Sequence, residues 1–217
     1  MDSERTFFDM AEKILIEEKL KFIAKRRPQI LGHKDYFKTA VLLPLVEYQN
    51  ALCILFEKRA SNLNVQPGEI CFPGGQIEAI DKGAREAAVR ETCEELGLIT
   101  DDIEVAGPLD IFVSPFNLIV NPFVGKIKDY QKIKINDEVE YVFYVPLNYL
   151  LKIEPPCAPL GLKLVLPQGY PYDLIPNGRN YPYRDARYPQ YFYLWKGEVI
   201  WGLTARILNH FLELLKA

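Results

Sequence analysis

Three glutamates, Glu91, Glu94 and Glu95, crowd into the stretch "RETCEELGL" that begins at Arg90. On an α-helix, residues three and four apart are neighbours, so Glu91 shares a face with the other two, one turn on. Like charges so placed repel by a few tenths of a kcal/mol per pair, and a bound cation would relieve them. Hard divalent ions want several carboxylate oxygens and waters around them. Mg²⁺ in particular keeps much of its water shell and combines a few carboxylates with substrate phosphates. Upstream, Gly74-Gly75 allows the backbone to turn closely past the helix, so that a carbonyl or amide also reaches the site. Arg90 stands beside the cluster and can fix one carboxylate through a bidentate pair. The competing reading is a surface helix that is merely acidic. The glycine pair and the adjacent arginine are what favour a metal site with Glu91, Glu94 and Glu95 as ligands.

The helix that presents these groups is expected to start after Asp81, an N-cap candidate, and to stop at Gly97, a residue suited to the left-handed position past a helix end. Before it, "KTAVLLPLVEY" and "ALCILFEKR" read as two strands of a hairpin turning at Gln49-Asn50. A polar loop, "ASNLNVQPGEI", then leads to Phe72-Pro73-Gly74-Gly75. After the helix come the strand-like runs "IEVAGPLDIFVS", "LIVNPFVGKI" and "EVEYVFYVPL". The segment 154–193 is rich in proline and tyrosine and reads as irregular but packed, with short strands. "EVIWGLTARILNHFLELL" closes the chain as a helix whose stripe of Leu203, Ile207, Leu208, Phe211, Leu212 and Leu215 faces a core. At the other end, Ser3 is placed to cap a helix running to about Arg27, ahead of Pro28.

Composition narrows the partners. The chain has 217 residues and a net charge of −3, with no polybasic tail, which argues against nucleic acid. No apolar run is long enough to span a bilayer, the first residues lack signal-peptide order, and the terminal "LKA" is not the peroxisomal address. Cys53, Cys71, Cys93 and Cys157 show no CxxC spacing, and three of them sit in apolar contexts as buried thiols of a reducing compartment. The expected location is cytoplasmic.

The stretch from Gly75 resembles the Nudix box, which runs Gly, five residues, Glu, seven residues, then Arg-Glu-apolar-x-Glu-Glu-x-Gly-apolar. Here Gly75 is followed by five residues, Asp81, eight residues, and Arg90-Glu91-Thr92-Cys93-Glu94-Glu95-Leu96-Gly97-Leu98. Asp81 replaces the first glutamate, one extra residue precedes Arg90, and threonine fills an apolar place. The longer spacing is similar to that of the coenzyme A pyrophosphatase branch, as is "LFEKRASNLNVQPGEICFPGG". In that segment Arg59, Gly68, Phe72, Pro73, Gly74 and Gly75 match the branch signature, while Ala60 stands for a serine and Asn64 for a second arginine. The closing "IWGLTARIL" is similar as well.

The resemblance implies an α/β/α Nudix sandwich, a mixed sheet between the box helix and the C-terminal helix, with an added N-terminal helix. One domain is expected over 1–217, with 1–28 the extension and about 38–217 the fold. It implies Mg²⁺- or Mn²⁺-dependent hydrolysis of a diphosphate linkage in a small nucleoside diphosphate derivative, with coenzyme A or acyl-coenzyme A as the first choice. Glu91, Glu94, Glu95 and Arg90 would form the catalytic set, and Gly74 and Gly75 the backbone contact. Arg59 is the phosphate-contact candidate, against a plain surface arginine. Glu138 is a base or further ligand, against an exposed strand opener. Arg179, Arg184 and Arg187 are candidates for a 3′-phosphate, with a packed loop as the alternative. A homodimer is left open. Two rivals stand: hydrolysis of another diphosphate such as ADP-ribose or a dinucleotide, favoured by Asn64, and a non-catalytic nucleotide sensor.

Overall fold

The computed structural model describes residues 15–217, so the cap expected at Ser3 lies outside the described residues. The chain divides into two compact units that meet between Tyr36 and Phe37. The first contains helix α1 over 15–24, ending three residues before Arg27.

The second unit, Phe37–Ala217, opens with the long hairpin β1 (Phe37–Tyr48) and β2 (Ala51–Arg59). Gln49 and Asn50, at φ 48° and 61°, form the two-residue turn whose twist suits adjacent antiparallel strands. Two short strands follow, β3 (Ile70–Cys71) and β4 (Gly74–Gln76), and then helix α2 (Ala84–Leu96). The remaining strands of the main sheet are β5 (Ile103–Pro108), β6 (Phe112–Ser114), β7 (Leu118–Ile127) and β8 (Val139–Pro146). β8 runs directly into the one-turn helix α3 (Leu147–Leu150). The sheet is mixed: β1 and β7 pair in parallel from Phe37↔Leu118 to Leu45↔Lys126, whereas β1 with β2 and with β4, and β2 with β8, are antiparallel.

Side chains alternate across this sheet with the period of two that strand geometry imposes. Ala40 and Leu42 of β1, with Cys53 and Leu55 of β2, pack on Ala87, Ala88 and Leu96 of α2. Leu43, Ile54 and Phe56 point the other way, onto Leu208, Phe211 and Leu212 of the terminal helix. The result is the α/β/α sandwich expected from the resemblance, with the buried residues of the central strands divided between the two layers.

The proline- and tyrosine-rich segment carries the antiparallel pair β9 (Cys157–Leu162) and β10 (Ala186–Tyr191), as its mixture of breakers and aromatics suggests. Next comes a small hairpin, β11 (Tyr193–Trp195) and β12 (Glu198–Ile200), before helix α4 (Gly202–Lys216). The closing helix therefore starts four residues later than expected from Glu198. Glu198–Ile200 pairs with Tyr193–Trp195 instead, and Lys196 and Gly197, both at positive φ, supply its turn. Ile207, Leu208, Phe211 and Leu212 are buried as anticipated, but Leu215 is half exposed, because the last turn overhangs the core. All four cysteines are free. Cys53 alone among them is fully buried; Cys71 and Cys93 are half-buried and Cys157 is exposed.

Candidate active site

Helix α2 does not begin on Asp81. Its N-cap is Gly83, with no side-chain cap, because the Asp81 carboxylate is engaged elsewhere. Both of its oxygens meet Arg90, Nε to Oδ1 at 3.0 Å and Nη2 to Oδ2 at 3.1 Å. Oδ2 also accepts the Glu78 amide at 2.8 Å. A bidentate charged pair outcompetes a cap bond to backbone. It draws the Asp81 carboxyl below its ordinary range, chiefly through the Arg90 hydrogen bonds. At the other end Gly97 takes the left-handed conformation, φ 62°, and both its amide and that of Leu98 bond back to the Cys93 carbonyl. Both ends of the helix are thereby set, and with them the rotational phase of its carboxylates.

Arg90 does more than hold Asp81. Its Nη1 donates to Glu91 Oε1 at 2.9 Å and to Glu94 Oε2 at 3.3 Å, and its Nη2 to the Gln76 carbonyl at 3.1 Å. The predicted bidentate clamp thus exists, but it closes on Asp81 across the loop, while the neighbouring glutamates receive single bonds. The Arg90 charge is strongly stabilised in return, above all by Asp81.

The Gly-Gly turn lies against this helix. The Gly74 amide donates to Glu95 Oε2 at 2.8 Å. Gly74 has φ 153°, and a Cβ there would come within 2.4 Å of the Ala40 carbonyl, so only glycine permits the strand β4 to lie this close to β1. A Cβ on Gly75 would come within 2.5 Å of the Glu91 carboxyl. Glu91 therefore occupies the space that the missing side chain leaves. Glu95 is buried at 4% exposure, while Glu94 is exposed. Thr92, in the place where the box carries an apolar residue, is fully buried and satisfies its hydroxyl on the Ala88 carbonyl at 2.7 Å.

One group that the sequence did not single out lies beside these carboxylates. Glu57, on β2, is 1% exposed. Its Oε1 accepts a bond from the Cys71 thiol at 3.2 Å, and its Oε2 has no partner among the described residues. Burial pushes the carboxyls of both Glu57 and Glu95 upward, and the Glu57 charge raises Glu95 further by like-charge repulsion. Glu91 is raised as well, again by burial first. The Cys71 thiol is held protonated by burial and by Glu57, which removes it as a nucleophile. The available signal was the single acidic residue of "ALCILFEKR", which follows an apolar run.

Arg59 ends β2 at a register shift against β8. The loop after it folds back: Gly68 donates to the Arg59 carbonyl, Arg59 donates to the Glu69 carbonyl, and Arg59 Nε reaches the Val65 carbonyl at 3.3 Å. Arg59 then lines a cleft of about 350 Å³ together with Gly74, Gly75, Val41, Trp201 and Thr204. Thr204 anchors α4 to the same place through its hydroxyl bond to the Ile70 carbonyl at 3.1 Å, so the closing "IWGLTARIL" reaches the same cleft as the Gly-Gly turn. Glu138 is exposed, and its carbonyl accepts the Ala60 amide at 2.8 Å. Its charge is near enough to push Glu57 and Glu95 upward. Arg179, Arg184 and Arg187 do not line this cleft; Arg179 instead covers the Tyr172 ring at 4.5 Å.

Among the described residues, no three His, Cys, Asp or Glu side chains already converge as a finished metal-binding group. The donor set nevertheless fits a hard divalent ion. Two buried carboxylates, Glu57 and Glu95, lie near the glycine turn on which Glu91 packs, and among the described residues Glu57 Oε2 has no partner.

A mixed sheet lies between two helical layers, with a Gly-Gly turn held against the carboxylates of one helix. The chain belongs to the Nudix family: the NUDIX domain matches residues 36–159. It is 38% identical over 121 residues to the peroxisomal coenzyme A diphosphatase NUDT7 of Mus musculus, an alignment covering 55% of this chain and 51% of that protein. The chain thus spans about half the length of the mouse relative. Nudix hydrolase 3 of Caenorhabditis elegans is 29% identical over 98% of this chain and 88% of its own. The Nudix hydrolase NudL of Escherichia coli K12 is 32% identical over 84% and 85%. No helix among the described residues is long and apolar enough to cross a membrane.

Proposed function

We propose that the chain hydrolyses the diphosphate linkage of a small nucleoside diphosphate derivative in a divalent-metal-dependent reaction, with coenzyme A or an acyl-coenzyme A as first-choice substrate. The products are then phosphopantetheine, or its acyl form, and adenosine 3′,5′-bisphosphate. One observation supports this reading: the Gly74–Gly75 turn is bonded to Glu95 and packed on Glu91, the arrangement that such a centre would need. The name of the mouse relative, together with the spacing before Arg90, favours coenzyme A.

In this reading Glu91 and Glu95 hold the metal, Mg²⁺ or Mn²⁺, with Glu94 as a further ligand. The bound ion would neutralise phosphate charge and acidify a water. Arg90 keeps Glu91 in orientation and braces the loop through Asp81 and Gln76. The Gly74 amide holds Glu95 so that one carboxylate oxygen stays aimed at the turn. Arg59, at the rim of the same cleft, meets a phosphate oxygen. Glu138, exposed beside the site, is the candidate for accepting the proton of the attacking water. Residues from about 38 onward would contain all of this machinery, as one functional domain, and the setting would be the cytoplasm.

A second reading is hydrolysis of another diphosphate. Asn64 stands where the coenzyme A branch signature has an arginine, and an amide cannot replace that charge. The non-catalytic alternative is disfavoured by the retention of Glu91, Glu94 and Glu95 beside a turn shaped to them. The test is a product assay on purified protein with coenzyme A, acetyl-coenzyme A, ADP-ribose, NADH and diadenosine polyphosphates, with Mg²⁺ and then Mn²⁺, alongside Glu95→Gln. Adenosine 3′,5′-bisphosphate formed from coenzyme A and lost in the variant supports the first reading. Turnover of a different compound transfers the assignment to the second, and no turnover of any of them overturns both.

A further inference from the structure

We propose that Glu57, outside the box helix, is an additional carboxylate ligand of the metal centre, reaching it from the sheet side through Oε2. The inference rests on the metal-dependent reading above, and it concerns a strand residue that the box pattern does not include. Alternation along β2 sets its direction. Cys53 and Leu55 pack on Ala87, Ala88 and Leu96 of α2. Glu57, two residues on, emerges on the same face, the one on which Glu95 is buried.

Its surroundings leave it unfinished without a cation. At 1% exposure a carboxylate must be paired or hydrogen-bonded on both oxygens, or its burial is costly. The described residues supply one bond, from the half-buried Cys71 thiol at 3.2 Å to Oε1, and nothing to Oε2. Of the charges acting on it, Arg59 attracts and Glu138 repels, and Glu57 in turn pushes Glu95 upward. Arg59 is already turned to the Val65 carbonyl.

The thiol bond also fixes where the free oxygen stands. Cys71 faces Glu57 in the β2–β3 register and lies three residues before Gly74. Gly74 in turn holds Glu95. Glu57 from the sheet and Glu95 from the helix therefore flank one turn, each tied to that strand segment through one oxygen. If Glu57 served only to seat Cys71, a glutamine would serve equally well, since its carbonyl accepts the same thiol proton.

That difference defines the experiment. Mn²⁺ is titrated into the metal-free full chain of the wild type, Glu57→Gln and Glu95→Gln. Free Mn²⁺ is followed by electron paramagnetic resonance, and thermal unfolding is recorded with and without Mn²⁺. Glu57→Gln is expected to fold with a metal-free Tm at or above that of the wild type, to bind Mn²⁺ about tenfold more weakly or worse, and to lose most of the Mn²⁺-induced rise in Tm. A smaller loss of affinity overturns the proposal. Should Glu57→Gln fail to fold, Glu57→Asp, which keeps the charge but withdraws it by one methylene, is judged by the same threshold. Mn²⁺ binding that is lost in Glu95→Gln but unchanged in Glu57→Gln sinks this inference alone. A wild type that binds no Mn²⁺ sinks the metal-dependent reading with it.

Discussion

The two glycines of the turn make opposite demands, and replacing each with alanine separates folding from chemistry. On Gly75 the new methyl would stand 2.5 Å from the Glu91 carboxyl, where ordinary contact begins at 3.4 Å. The obstruction is the far end of a flexible side chain, so relief takes a carboxylate displacement of about 1 Å and no backbone movement. Stability should hardly change, because alanine also removes unfolded-state freedom worth about 0.5 kcal/mol; Tm is expected within about 3 °C of the wild type. Misplacement of a reacting or metal-holding group by about 1 Å costs on the order of 100-fold in rate, equivalent to about 2.7 kcal/mol of barrier. On Gly74 the methyl would meet backbone, 2.4 Å from the Ala40 carbonyl and 2.6 Å from Val41 Cα, at φ 153°. Neither strand can yield without breaking the β1–β4 pairing. A loss of roughly 3 kcal/mol or more is expected, lowering Tm by about 10 °C. The assay pairs differential scanning calorimetry with turnover of whichever substrate the panel selects, at a temperature where both variants are folded. Full activity in Gly75→Ala, or a fall in its Tm matching that of Gly74→Ala, would refute the placement of Glu91 against the turn.

Three further outcomes follow from the same contacts. Glu57 and Glu95 have folded-state pKa values raised above the ordinary 4.5, by burial first. Their contribution to stability is therefore fully present below about pH 4.5 and is lost as pH rises through the raised values. The metal-free protein should lose at least about 3 °C of Tm between about pH 5 and about pH 9, a slope that Mg²⁺ flattens. Asp81 and Asp102 are shifted downward from 3.8 and act only at more acidic pH, so a flat metal-free profile over that interval would contradict the burial of the pair. Arg90→Lys keeps the charge but cannot reach Asp81, Gln76, Glu91 and Glu94 together; kcat/KM should fall by about tenfold or more, and wild-type kinetics would show that the clamp does not position the carboxylates. Gly97→Ala would place a methyl 2.3 Å from the Lys134 carbonyl at φ 62°. It should lower Tm by about 5 °C or more while leaving kcat of the folded molecules unchanged, and an unshifted Tm would count against that close contact.

What could be read from the sequence was what local chemistry decides. The Gln49-Asn50 turn, the Gly97 stop and the carboxylate face of α2 each depend on residues within a few positions, and each is found in place. Asp81 differs from its expected cap role because that role is local, whereas its actual partner, Arg90, is nine residues away and stronger. Glu198–Ile200 was assigned to the helix because its apolar residues suit either period; the hairpin with Tyr193–Trp195 decides it. Glu57 escaped notice because one acid in a strand usually marks the solvent side. Its burial follows from α2 on one face and from β3 and β8 on either side in the sheet, contacts that strand periodicity does not reveal.

The loop between Gln76 and Gly83 has a consequence for how such a site can be varied. Compared with the box pattern, the chain carries one additional residue between Gly75 and Arg90, and α2 begins only at Ala84. A residue inserted within the helix would swing everything beyond it by about 100° and carry the glutamates off the turn. Placed in a loop, the same insertion adds only a few tenths of a kcal/mol of closure entropy. Arg90 stitches that loop to the helix at Asp81 and Gln76 whatever its contour. The spacer is thereby released from the register of the carboxylate face, so its length can change while Glu91 and Glu95 keep their places beside the turn.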